Sequence, residues 1–121
     1  MGQHFLTDAN IARNIAGGLT NTGYQQVLEV GPGMGMLTQF LINSEHQVHV
    51  VEIDTESVAY LHQEYPRLRD QIIEGDFLKL DLSSLFQKPV AVIGNFPYNI
   101  SSQIVFKTLK HRDLIPEFVG M

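Results

Sequence analysis

A chain of 121 residues, 44% hydrophobic and 17% charged, has the make-up of one globular domain with its own core. With no cysteine there is no disulfide framework, thiolate nucleophile or zinc knuckle, and a net charge of -5 argues against a self-sufficient nucleic-acid binder. No apolar run approaches the roughly 18 residues of a membrane span, and Met1-Gly2-Gln3-His4-Phe5 has no leader character, so a cytoplasmic location is expected.

Ile11, Ile15 and Leu19 at four-residue spacing predict a helix over 7–20, capped by Thr7 or Asp8. Residues 27–30 form a short apolar strand that runs into Gly31-Pro32-Gly33-Met34-Gly35, and a helix follows over about 35–43. After a strand at 48–53, Asp54-Thr55 opens a helix that Tyr65-Pro66 stops, because proline cannot continue it. Residues 71–78 read as a third strand, 81–86 as a short helical turn and 90–95 as a fourth strand. Ser101 or Ser102 caps a helix over 101–112, and residues 116–121 begin another strand.

Apolar strands separated by helical patterns predict an α/β fold, a parallel sheet with helices on both faces. Ligands in such sheets sit beyond the carboxyl ends of the strands. Those ends carry Gly31–Gly35, Glu52 with Asp54, Gly75-Asp76, and Asn95-Phe96-Pro97-Tyr98. The first cluster has Met36 where a dinucleotide fingerprint has its third glycine, and G-x-G-x-G suits a ligand without a pyrophosphate, such as S-adenosylmethionine. Glu52, 21 positions after Gly31, is placed to accept ribose hydroxyls, and Asp54 to cap the next helix.

Asp76 can accept from an adenine amine while Phe77 or Leu78 packs on the base. The Asn95 side-chain oxygen and the Phe96 carbonyl can take the two hydrogens of an aromatic amine, aiming its lone pair at an electrophilic methyl. Pro97 disfavours helical geometry at Phe96, and Tyr98 offers a flat face to a base out of its stack. Each cluster also has a plain reading as a turn or cap. The five histidines are scattered without metal-site spacing, so no metal is expected. Lys107, Lys110, His111 and Arg112 form a basic patch that suits either phosphate or a helix C-terminus.

Gln3-His4-Phe5-Leu6, the 29–35 segment, Glu52-Ile53-Asp54, Gly75-Asp76-Phe77-Leu78 and Asn95-Phe96-Pro97-Tyr98, in that order, resemble the small-subunit ribosomal RNA adenine dimethyltransferases. That family includes the erythromycin-resistance methylases; His4 stands where many members have asparagine. The resemblance implies a class I S-adenosylmethionine-dependent (Rossmann-like) methyltransferase fold and dimethylation of the exocyclic amines of adjacent adenosines. It implies cofactor contacts from Gln3, Phe5, Leu6, Glu29, Gly31, Gly33, Gly35, Glu52, Ile53, Asp76, Phe77 and Asn95. Asn95, Phe96, Pro97 and Tyr98 would hold the target base.

By the same resemblance, residues 1–121 are expected to be the N-terminal part of a catalytic domain whose last strands and helical C-terminal domain are absent. The implied partner is small-subunit rRNA in a pre-ribosomal particle, with no membrane. The fourth strand is expected to lose a neighbour or keep a stub, leaving an apolar edge through which copies self-associate. A DNA adenine methyltransferase, a nicotinamide-dependent oxidoreductase fragment and a non-catalytic rRNA-binding assembly module remain alternatives.

Overall fold

Because side chains alternate along a strand, the apolar runs divide between two faces. Val27, Val48, Val50, Ala91 and Ile93 face one core, and Leu28, Val30, Val51, Val90 and Val92 the other. The computed structural model describes residues 9–20, 23–42, 46–96 and 98–120. Its strands are β1 (Gln26–Val30), β2 (Gln47–Glu52), β3 (Ile72–Glu74), β4 (Val90–Gly94) and β5 (Phe118–Gly120). All pairs are parallel, in the order β3-β2-β1-β4-β5.

The helices are α1 (Ala9–Ala16), α2 (Thr38–Leu41), α3 (Thr55–Glu64), α4 (Leu82–Leu85) and α5 (Tyr98–Lys110). Ile15, Leu41 and Leu61 bring α1, α2 and α3 onto the first face. Leu82 and Ile104 bring α4 and α5 onto the second, with Phe77, Phe86, Phe96 and Ile115 filling between them. Fully burying one such side chain stabilises the fold by about 1.5–3 kcal/mol, so these two layers carry the domain.

Several boundaries differ from the sequence reading. The first helix stops at Ala16, where Gly17 and Gly18 follow, and α2 is four residues long, 38–41. Gly33 and Gly35 have φ of 56° and 87°, outside helical geometry, so no helix can run through them. The third strand shrinks to Ile72–Glu74, because a 3-10 turn occupies Pro66–Gln71 and Asp76 starts another over Phe77–Lys79. Helix α5 begins at Tyr98, so Ser101 and Ser102 lie inside it rather than at its start.

Of the two expectations for the fourth strand, β4 keeps a stub of a neighbour, three-residue β5. β5 pairs Phe118–Gly120 with Val92–Gly94, and the Leu114 and Glu117 carbonyls accept from Val90 and Val92. Among the described strands the edge on that side is therefore three-residue β5. The segment before it is pinned from across the chain, since Glu117 Oε1 accepts from the Tyr24 hydroxyl and the Thr20 amide. Burial pushes the Glu117 carboxyl up, but these donors and His46 outweigh it and hold it below the usual range.

Candidate functional site

Register decides where the clusters fall. Val30 pairs with Val51 and Gly94, Gly94 with Gly120, and Glu52 with Glu74. The residues that follow β1, β2, β3 and β4 thus leave the sheet at one level. The connections run outward in opposite directions from between β1 and β4, the switch point where ligands of α/β sheets sit.

Hydrogen bonds tie the first three loops together. The Gly31 amide donates to the Val51 carbonyl, and the Gly75 amide to the Glu52 carbonyl, each at 2.9 Å. Glu52 Oε1 accepts from the Gly33 amide and Oε2 from the Asp54 amide, both at 2.9 Å. Asp54 caps α3 through the Ser57 amide and hydroxyl, as its sequence position indicates.

Two glycines of the loop differ in cause. Gly31, at φ 70°, has no heavy atom of the described residues within 4 Å of where a Cβ would stand, which leaves its backbone open on that side to close approach. A Cβ on Gly35 would meet the Tyr65 ring at 2.6 Å, and the Tyr65 hydroxyl donates to the Gly35 carbonyl. Packing of Tyr65, rather than a ligand, therefore explains that glycine.

Below the loop, Glu29 is 1% exposed and accepts from the Thr38 hydroxyl. Burial, with a smaller push from Glu52 and against the Thr38 hydrogen bond, raises its carboxyl to about 8. It sits there as a neutral acid beneath the glycine turn. Glu52 is equally buried, whereas Ile53 beside it is 61% exposed at the rim.

Asp76 Oδ1 accepts from the Leu78 amide at 3.0 Å, and among the described residues Oδ2 takes no hydrogen bond. The expectation that the Phe77 ring packs on a base is corrected. That ring is buried in the second core, and half-buried Leu78 is the side chain left for such contact. Lys107 leaves the basic patch: its ammonium donates to the Phe77 and Leu80 carbonyls.

Asn95 is half-buried at the end of β4. The Phe96 ring is buried and stacked on Phe118, with centroids 5.4 Å apart. A Cβ on Gly94 or Gly120 would stand 2.6 or 2.3 Å from that ring. The two glycines form a slot that holds the ring and with it the backbone of the 95–96 turn. Gln3, Phe5, Leu6 and Pro97 lie outside the described residues, as does the Tyr98 side chain. Among the described residues no acid or histidine cluster suits a metal, and no helix is long and apolar enough to cross a membrane.

Comparison with known proteins decides the family. The model for ribosomal RNA adenine dimethylase matches residues 1–119. The chain belongs to that family. A relative, the ribosomal RNA small subunit methyltransferase A of Flavobacterium johnsoniae, is 57% identical over 122 residues. That alignment covers all of the chain and 47% of the relative, so the chain spans about half the relative's length. The 23S rRNA methyltransferase ErmE superposes with a TM-score of 0.76 at 31% identity, over 88% of this chain and 43% of its own. A dimethyladenosine transferase from Plasmodium falciparum gives 0.72 at 31% identity, over 93% and 40%. The sheet is that of the class I S-adenosylmethionine-dependent methyltransferases.

Three features of the site have no local sequence signal: the Tyr65 contact on Gly35, the Gly94–Gly120 slot and the Lys107 bridge. Each joins residues at least 24 positions apart, a distance that periodicity does not reach.

Proposed function

We propose that this chain forms the cofactor- and base-holding part of an enzyme that moves methyl groups from S-adenosylmethionine to the exocyclic amines of adjacent adenosines in small-subunit rRNA. One observation carries the reading: the register brings Gly31, Glu52, Asp76 and Asn95 to one rim at the switch point. The open backbone at Gly31 and the exposed Ile53 suit an adenosine-bearing cofactor. Gly31 and Gly33 would hold its amino-acid end, Glu52 the ribose, and Asp76 with Leu78 the adenine.

The bound cofactor supplies a methyl already activated on a sulfonium. The chain's task is to orient the amine. The Asn95 side-chain oxygen and the Phe96 carbonyl accept the two N6 hydrogens, which turns the nitrogen lone pair toward the methyl. Transfer of that methyl to the nitrogen would break its bond to sulfur and release S-adenosylhomocysteine, and the cationic nitrogen would then lose its proton to water. A second round gives the dimethyl product. Holding the reactants as a near-attack pair accounts for about 7–11 kcal/mol of such a barrier. The partner is rRNA within a pre-ribosomal particle in the cytoplasm, and copies of the chain self-associate through the outer edge of β5.

Calorimetric titration with S-adenosylmethionine and with a nicotinamide dinucleotide separates this reading from the oxidoreductase one. Labelled-methyl transfer uses a chimera in which this chain replaces the matching half of the Flavobacterium johnsoniae relative, offered small-subunit particles or duplex DNA. Label in the rRNA supports the proposal; label confined to DNA, or dinucleotide binding alone, overturns it. Cofactor binding without transfer to either substrate favours the assembly module. Asn95→Ala in the chimera is expected to lower transfer about 100-fold or more, the usual cost of losing a positioned polar group at a reacting centre, with cofactor affinity kept. Near-normal turnover removes Asn95 from its role.

A further inference from the structure

Lys107 lies on α5, in another layer from the cofactor loops, yet its ammonium ends on one of them. Its Nζ donates to the Phe77 carbonyl at 2.5 Å and to the Leu80 carbonyl at 2.6 Å, and stands 5.1 Å from the centre of the Phe77 ring. These carbonyls belong to the first residue and the C-cap of the 3-10 turn over Phe77–Lys79, whose N-cap is Asp76. The Asp76 carboxylate is bound into the same turn through the Leu78 amide, and the Asp76 carbonyl accepts from the Lys79 amide.

A short 3-10 turn has weak internal hydrogen bonds and is readily displaced. One cation bridging its two ends fixes it through charge-assisted bonds, the stronger kind. Asp76 and Asp81 favour the charged form of Lys107, although burial pulls the ammonium below its usual range. The helix that follows the base-holding loop therefore reaches back to the loop assigned to the cofactor adenine.

We propose that Lys107 is a positioning residue for adenine recognition, clamping the 76–80 turn so that the Asp76 carboxylate is aimed at the exocyclic amine of the cofactor. The inference rests on the function proposed above. Without the clamp the turn samples other conformations, and the affinity lost is the part that depends on that amine. A residue that only stabilised the fold would lower the melting temperature and leave ligand choice unchanged.

The test compares S-adenosylhomocysteine with S-inosylhomocysteine, which carries a 6-oxo group in place of the amine, by calorimetry on the whole chain. Wild type is expected to prefer the adenine ligand by about tenfold or more, because a site built to accept from an amine rejects an analogue lacking it. Lys107→Met, which keeps the aliphatic stem, is expected to weaken S-adenosylhomocysteine about tenfold, near the worth of one charged hydrogen bond. It should leave S-inosylhomocysteine within about twofold, so that the preference collapses. Lys107→Gln carries the same comparison with milder packing change should the methionine variant fail to fold. Variants that melt lower but keep the wild-type preference overturn the inference alone. A wild type that binds neither ligand overturns the function and this inference together.

Discussion

Glu29 shows how burial writes a pH dependence into a single residue. Its carboxyl loses a proton near 4.5 when exposed and near 8 in the folded chain. Between those values unfolding releases a proton, so stability is fully present below about 4.5, falls as pH rises, and levels off above about 8. The slope reaches about 1.4 kcal/mol per pH unit. Glu29→Gln, which keeps an acceptor for Thr38, is expected to flatten the decline in urea-unfolding midpoints measured from pH 5 to pH 9. An unchanged slope in the variant would place the titrating group elsewhere. Glu52 differs, since its two oxygens hold two backbone amides of two different loops. Glu52→Ala leaves both amides without that partner, an expected loss of about 1–3 kcal/mol. Cofactor affinity in titration should fall with it.

At the scale of elements, the sheet and the start of α3 were legible, and the starts of α2 and α5 were not. Apolar runs bounded by glycine, proline or acid are local signals, and they locate β1, β2 and β4 within a residue or two. The acid at Asp54 marks a true cap because its side chain reaches the Ser57 amide. Ser101 and Ser102 mislead: helix α5 starts directly after Pro97, a residue type favoured at helix entry, and the serines fall in its second turn. The glycine run hides a similar trap, since Gly31 and Gly35 look alike in sequence but answer to open space and to a tyrosine ring.

Phe96 reads in sequence as the bearer of an acceptor carbonyl for the site, and the structure adds the seat for its ring. Gly94→Ala places a Cβ 2.6 Å from that ring and from the Val30 carbonyl. The expected cost is about 1–3 kcal/mol by thermal or urea unfolding, as for other overpacked sites. In the chimera, methyl transfer should fall further than cofactor affinity. Equal losses of both would show that the slot does not serve the base-holding loop specifically.

For the whole molecule, the proportions of the two cores matter most. Each face of the sheet has its own buried cluster, yet α5 turns Phe106 and Leu109 outward, 74% and 57% exposed, and the described sheet ends on the β5 side in a three-residue strand. Exposed apolar side chains and a short unpaired edge each favour association. Sizing across a dilution series is expected to show concentration-dependent dimers or larger species, and Phe106→Ser should shift them toward monomer. A monodisperse wild-type monomer at every concentration would end this expectation. The family was legible because its motifs sit at strand ends, where register forces them together, whereas the contacts that hold those motifs in shape come from distant residues.

The shared seat of the Phe96 ring also sets an order of assembly. The chain leaves the ribosome from its N-terminus, so β1, β2, β3 and the turn behind Asp76 emerge before residue 80. Gly120, one wall of the seat, emerges last among the described residues. A nascent chain halted near residue 110 therefore holds every described piece assigned to the methyl donor while the acceptor loop still lacks its second wall. During synthesis, donor pocket precedes acceptor pocket.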